Sequence, residues 1–111
     1  MPEKDLTYLK HILDCINDIE LFVEGYTMET FLSDKKTFNS SIRMFEIIGE
    51  ASKRLSPAFI SEHSQIPWKE MKGLRDVLIH DYEGVDLQAV WKIIQHNIPQ
   101  LKKEIEQILK K

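Results

Sequence analysis

The run GLRDVLIHDYEGVD, residues 73–86, brings Arg75, Asp76, His80 and Tyr82 within eight positions. Arginine stays charged at physiological pH and grips a phosphate with two parallel N–H bonds, while histidine exchanges its proton near neutrality. Cleaving a phosphodiester without a metal needs groups of this kind. One moves a proton from the attacking hydroxyl or to the leaving oxygen, and a cation offsets charge at the crowded phosphorus. On a helical wheel Arg75 falls about 40° and Tyr82 about 20° from Met71, inside the apolar sector marked by Trp68, Met71, Leu74 and Leu78. An arginine there snorkels to the rim, pairs with a carboxylate such as Glu46 or Glu50 on a neighbouring helix, or holds an anionic ligand.

His80 lies about 140° around from Arg75, so the two side chains do not converge on one straight helix. They meet if the helix ends near His80, or if a second copy brings its own helix end across a two-fold axis. Asp76, four residues before His80, shares its face and can orient the imidazole and favour its charged form. Two plainer readings stand beside these. A histidine suits the negative end of any helix, and Tyr82 suits a core aromatic with its hydroxyl at the surface.

The elements that must position this run are helical. Leu6, Leu9, Ile12, Leu13, Ile16, Ile19 and Val23 recur at three and four, predicting a first helix with Asp5 as its N-cap and Gly25 as its stop. TMETFLS predicts a short helix from Thr27. A longer one over about residues 34–55 turns Phe38, Ile42, Phe45 and Ile48 to the core, and Gly49 within it predicts a close approach by another group. Ser56 with Pro57 starts another short helix, and Pro67 restarts the chain in the same way. Gly84 and Asp86 end that helix and cap the last one, where Leu87, Val90, Ile94, Ile98, Leu101, Ile105 and Ile108 form one stripe. Pro99 predicts a kink near Gln95. Period-two alternation appears nowhere for long, so the fold class is all-α, an antiparallel helical bundle of about four main helices plus short connecting ones.

A chain of 111 residues, 42% hydrophobic and 30% charged, is expected to form a single domain over 1–111. Its formal net charge of −3 gives no overall basic footprint, so any nucleic-acid contact must be local. Cys15 is the only cysteine, which excludes an internal disulfide and fits a reducing compartment. With no apolar run of membrane-spanning length and no signal peptide, the expectation is a soluble cytoplasmic protein without membrane association. His11 and Cys15 stand four apart, but two ligands do not make a zinc site, and no metal or cofactor is expected. No glycine-rich phosphate loop, nucleophile elbow or paired-carboxylate motif occurs, and His63 and His96 lack partners nearby in sequence. Trp68 and Trp91 read as core or interface anchors.

Three segments in order, IIGEASKRLS, IPWKEMKGLRDVLIHDYEGVD and VWKIIQHNIPQL, resemble the HepT-like branch of the HEPN superfamily. The resemblance extends over nearly the whole chain. R-x-x-x-x-H alone is weak; with the following x-Y, the preceding IGEA and the PW seven residues upstream of the arginine, the pattern is specific.

The resemblance implies a HEPN-like helical bundle that forms a homodimer, with two motifs facing each other across a cleft, and a metal-independent endoribonuclease of a type VII-like toxin–antitoxin pair. Carried over by position, Arg75 and His80 match the catalytic arginine and histidine. Tyr82 matches the tyrosine that a nucleotidyltransferase antitoxin of the MntA type modifies with AMP. Family members often have asparagine directly after the arginine; Asp76 departs from this and adds a negative charge near the RNA path. The implied substrate is RNA, tRNA or message, and the implied product carries a 2′,3′-cyclic phosphate. Lys69 and Lys72 on the same helix could add a small RNA-binding basic patch, or simply form a solvated face. A second reading is a non-catalytic HEPN module that binds nucleotide or protein, with Arg75 as its anion hook.

Overall fold

The computed structural model describes residues 1–73 and 86–110. In order, they form α1 (Glu3–Phe22), α2 (Met28–Ser33), α3 (Lys35–Lys53), α4 (Pro57–Glu62), a helical stretch α5 over residues 68–73, α6 (Leu87–Lys92), a π-turn (Ile93–Asn97) and α7 (Ile98–Leu109). No strand occurs among the described residues, so the bundle is all-α as its apolar spacing predicts.

The core follows the stripes. Leu9, Ile12, Ile16 and Ile19 of α1 are fully buried and meet Phe45 and Ile48 of α3, the helix against which α1 chiefly packs. Val90, Ile94, Ile98, Leu101, Ile105 and Ile108 close the same core from the last helix, while Leu87 is only partly buried. Phe38 is likewise partly buried, its ring edge-on to Phe31 of α2. Trp91 lies on Phe31 with ring centroids 5.1 Å apart, which anchors α6 to α2.

Local signals set most boundaries. Gly25 takes φ +78, the left-handed conformation that glycine adopts without strain, and the chain turns there after α1. Thr27 and Thr30 form a reciprocal capping box on α2. The Asp34 carboxylate accepts from the Thr37 amide at 3.2 Å to cap α3, and Asp86 accepts from the Gln88 and Ala89 amides to cap α6. Ser56 caps α4 ahead of Pro57.

Two expectations need correction. Asp5 is not the N-cap of α1: Pro2 holds that position, and Asp5, inside the first turn, is fully buried. Its Oδ1 accepts from the Ser56 amide at 2.8 Å and its Oδ2 from the Ser56 hydroxyl at 2.7 Å. The same hydroxyl oxygen accepts from the Phe59 amide, so one serine caps α4 and ties it to α1. The interruption expected near Gln95 takes the form of the π-turn rather than a simple kink. Pro99 lacks the N–H that would bond the Gln95 carbonyl, and the widened turn accommodates that loss.

Candidate functional site

Arg75, Asp76, His80 and Tyr82 lie outside the described residues, as do Leu74, Leu78 and Gly84. What the structure gives is the approach to them. After α4, the His63 carbonyl accepts from the Ile66 amide at 3.2 Å and from the Trp68 indole N–H at 2.9 Å. Trp68 also stands edge-on to Phe59 at 5.8 Å, and the His63 ring rests on the same phenyl ring at 4.6 Å. The Met71 amide bonds the Pro67 carbonyl to begin the ladder of α5. Ile66, Trp68 and Met71 are all buried, so the first turn leading into residues 74–85 is fixed in both rotation and depth.

That rotation places the described part of the wheel as expected: Trp68 and Met71 face inward, Lys69 and Glu70 outward, and Lys72 is half-buried. The lysines therefore stand on the solvent side of α5, but with unequal exposure and with Glu70 beside Lys69 along one open surface cavity. Below α5, a small pocket of about 120 Å³ is framed by Phe45 and Ile48 of α3, Met71 of α5 and Ile93, Ile98 and Leu101 around the π-turn. Gly49 is buried within α3.

The two acidic residues expected as partners for Arg75 each face an arginine three or four positions away, and a pairing with Arg75 itself lies outside the described residues. Glu46 accepts from Arg43 at 3.1 Å, and Glu50 lies 3.9 Å from Arg54. These four charges rim a groove of about 340 Å³ between α1 and α3, with Tyr8 and His11 opposite and Ile47 and Ala51 on the α3 side. Sequence reasoning did not find this groove. Its members come from two helices, and only the α1–α3 packing brings them together.

The remaining titratable candidates are structural. Cys15 is buried, and its thiol is pushed up to about 11, first by burial and then by the negative charges of Asp18 and Asp14, against a smaller opposing effect of Arg43. A thiol held neutral in this way is a poor metal ligand and a poor nucleophile. His11 is exposed and packs edge-on to Tyr8 at 5.8 Å. Among the described residues no three His, Cys, Asp or Glu side chains are grouped to hold a metal ion, and no helix is long and apolar enough to cross a membrane. His96 is exposed in the π-turn, whereas Trp91 is a core anchor.

Comparison with known proteins decides the lineage. The family model described as Ribonuclease HepT-like matches residues 12–108. The chain belongs to the HepT-like ribonuclease family. A protein of Methanocaldococcus jannaschii provisionally named an RNase is 45% identical to this HepT-like chain over 99% of it and 92% of the relative. The "Probable ribonuclease HepT" of Thermococcus cleftensis is 47% identical over 99% of this chain and 100% of its own length. A provisionally named RNase of Caldanaerobacter subterraneus is 42% identical over 94% and 93%. No solved structure matches the HepT-like chain.

Proposed function

We propose that this HepT-like chain is a metal-independent endoribonuclease, the toxin of a type VII-like toxin–antitoxin pair in the cytoplasm, formed by one domain over residues 1–111. The observation that carries the reading is that the matched span, residues 12–108, contains the complete run from Trp68 through Arg75 and His80 to Tyr82. The ribonuclease names of relatives aligned over nearly their full lengths support it. In this reading His80 moves the proton at the 2′-hydroxyl or the leaving oxygen, and Arg75 offsets the charge on the phosphorane. The phosphate is left as a 2′,3′-cyclic ester, and Asp76 orients the imidazole. Two copies pair so that both motifs face one RNA strand, with Lys69 and Lys72 on its flank. A cognate MntA-like nucleotidyltransferase switches the site off by adding AMP to Tyr82, which places bulk and negative charge where an RNA phosphate must sit.

The test is cleavage of RNA in excess chelator by protein whose intact mass shows no modification, compared with His80→Ala. Cutting that survives chelation, leaves cyclic phosphate ends and falls by about a hundred-fold or more in the variant is the expected result. Cutting that is indifferent to His80 overturns it. One observation favours the second reading, a nucleotide- or protein-binding HEPN module: the carboxylate of Asp76 directly after Arg75 repels phosphate. Asp76→Asn separates the cases, since faster cleavage marks repulsion and slower cleavage marks support of the imidazole.

A further inference from the structure

Among the described residues, the α1–α3 groove is lined by side chains of two helices that precede the motif in sequence. Its α3 wall carries Arg43, Ile47, Glu50 and Arg54 at spacings of four, three and four. Eleven residues bring a helix back to within about 20°, so both arginines lie on one line with their backbone positions about 16 Å apart. Tyr8 and His11 stand opposite on α1, one ring edge-on to the other. A cationic group at each end of a groove that also carries aromatic rings is the composition that holds unpaired nucleotides, phosphates at the arginines and a base on a ring.

We propose that this groove binds single-stranded RNA through side chains other than those of residues 75–82; the proposal rests on the ribonuclease reading. The intrahelical ion pairs do not exclude it. The side chains of Arg43 and Arg54 are 67% and 57% exposed, and their partners Glu46 and Glu50 are 21% and 45% exposed. Ion pairs this open contribute at most about 1 kcal/mol, and a phosphate offers a guanidinium the same bidentate geometry as a carboxylate. The volume of about 340 Å³ also falls within the range of clefts that hold small ligands. Because the two glutamates offset the two arginines, binding is modest, tolerant of sequence and sensitive to salt.

The experiment uses the full chain and a short, fluorescent, 2′-O-methylated single-stranded RNA, which lacks the attacking hydroxyl and is not cut. Arg43→Ala and Arg54→Ala should each weaken binding and lower the slope of log affinity against log salt by about 0.7. Tyr8→Leu should cost about five-fold or more through the lost stack. Glu46→Gln should tighten binding, because it releases Arg43 and removes a negative charge. Unchanged salt slopes in both arginine variants, with circular dichroism showing native helix, overturn the proposal. Weaker binding by Glu46→Gln, or displacement by adenosine monophosphate at the concentration at which the unlabelled strand displaces the probe, overturns it as well. Groove variants that lose RNA in a protein that fails to cut ordinary RNA would leave the groove standing and the ribonuclease reading fallen. Cutting with unaltered slopes would do the reverse.

Discussion

α1 runs for 20 residues without a break, whereas the helix from Leu87 to Leu109 passes through a π-turn at Ile93–Asn97. Both bury one apolar stripe, and neither stripe is interrupted. The difference lies in what holds the backbone. α1 has no proline inside it, and two long-range polar ties hold it. Asp5 binds Ser56, and Glu20 accepts from Lys102 of α7 at 2.6 Å. The last helix carries Pro99 and tolerates a broken ladder because tertiary packing of its stripe, more than its own hydrogen bonds, keeps it folded. The regular helix is therefore the one others hold on to, and the irregular one is fitted to them.

The largest effect should come from the tie at the start of α1. Asp5→Ala removes two hydrogen bonds to a buried carboxylate and should cost about 3 kcal/mol, lowering Tm by about 15 °C in a domain of this size. Urea denaturation would check it. A loss below about 1 kcal/mol, the cost of an ordinary cap, would make α1 no more firmly tied than the last helix and remove the contrast. Asp5→Asn, which keeps one acceptor, should fall between the two.

Next in size is Pro99→Ala. Supplying an N–H for the Gln95 carbonyl should stabilise by about 1 kcal/mol and make the amide of residue 99 slow to exchange in native-state hydrogen exchange. If stability and exchange show the π-turn persisting without the proline, then packing around Ile94 and Ile98 imposes the irregularity and the contrast sharpens into one of tertiary fit.

The smallest effect concerns the corner after α1. The Tyr26 hydroxyl donates to the Asp34 carboxylate at 2.5 Å and, with the Thr37 amide and hydroxyl, holds that carboxyl below its ordinary value of 3.8. A carboxyl lowered on folding contributes stability above its ordinary value and loses it as pH falls through the folded one, so this contribution fades below about pH 4. Tyr26→Phe should lower Tm slightly at neutral pH and converge on the parent's Tm on acidification, so that its acid limb is flatter. An acid limb identical to that of the parent protein would remove Tyr26 from the account.

Much of this architecture is legible in the sequence because its signals are local. Thr27, Asp34, Ser56 and Asp86 act on amides two or three residues away, and the stripes recur at three and four, so reading along the chain finds them. Asp5 shows where such reading stops. Near the start of a helix an aspartate reads as a cap, and nothing nearby announces a serine 51 positions on. For the candidate site, the inward placement of Trp68 and Met71 is legible from the wheel. The order of Arg75, His80 and Tyr82 carries the family resemblance, while their spatial relation depends on residues 74–85, outside the described ones. The groove of Tyr8, Arg43 and Arg54 is illegible for the same reason as the Asp5 tie, since it exists only where two helices meet.

The bond between Asp5 and Ser56 also sets an order of events. A chain emerging amino end first presents α1 early, but the partner for its first turn is made only after α2 and α3 have followed. Until then the Asp5 carboxylate remains hydrated, and burying it ahead of its serine would carry a desolvation cost with nothing to offset it. Closing so long a loop adds an entropic barrier that grows only slowly with length, so the delay comes mainly from waiting for residue 56 to exist. The first turn of α1 is thus completed long after it is made, by a serine that follows Asp5 51 positions later.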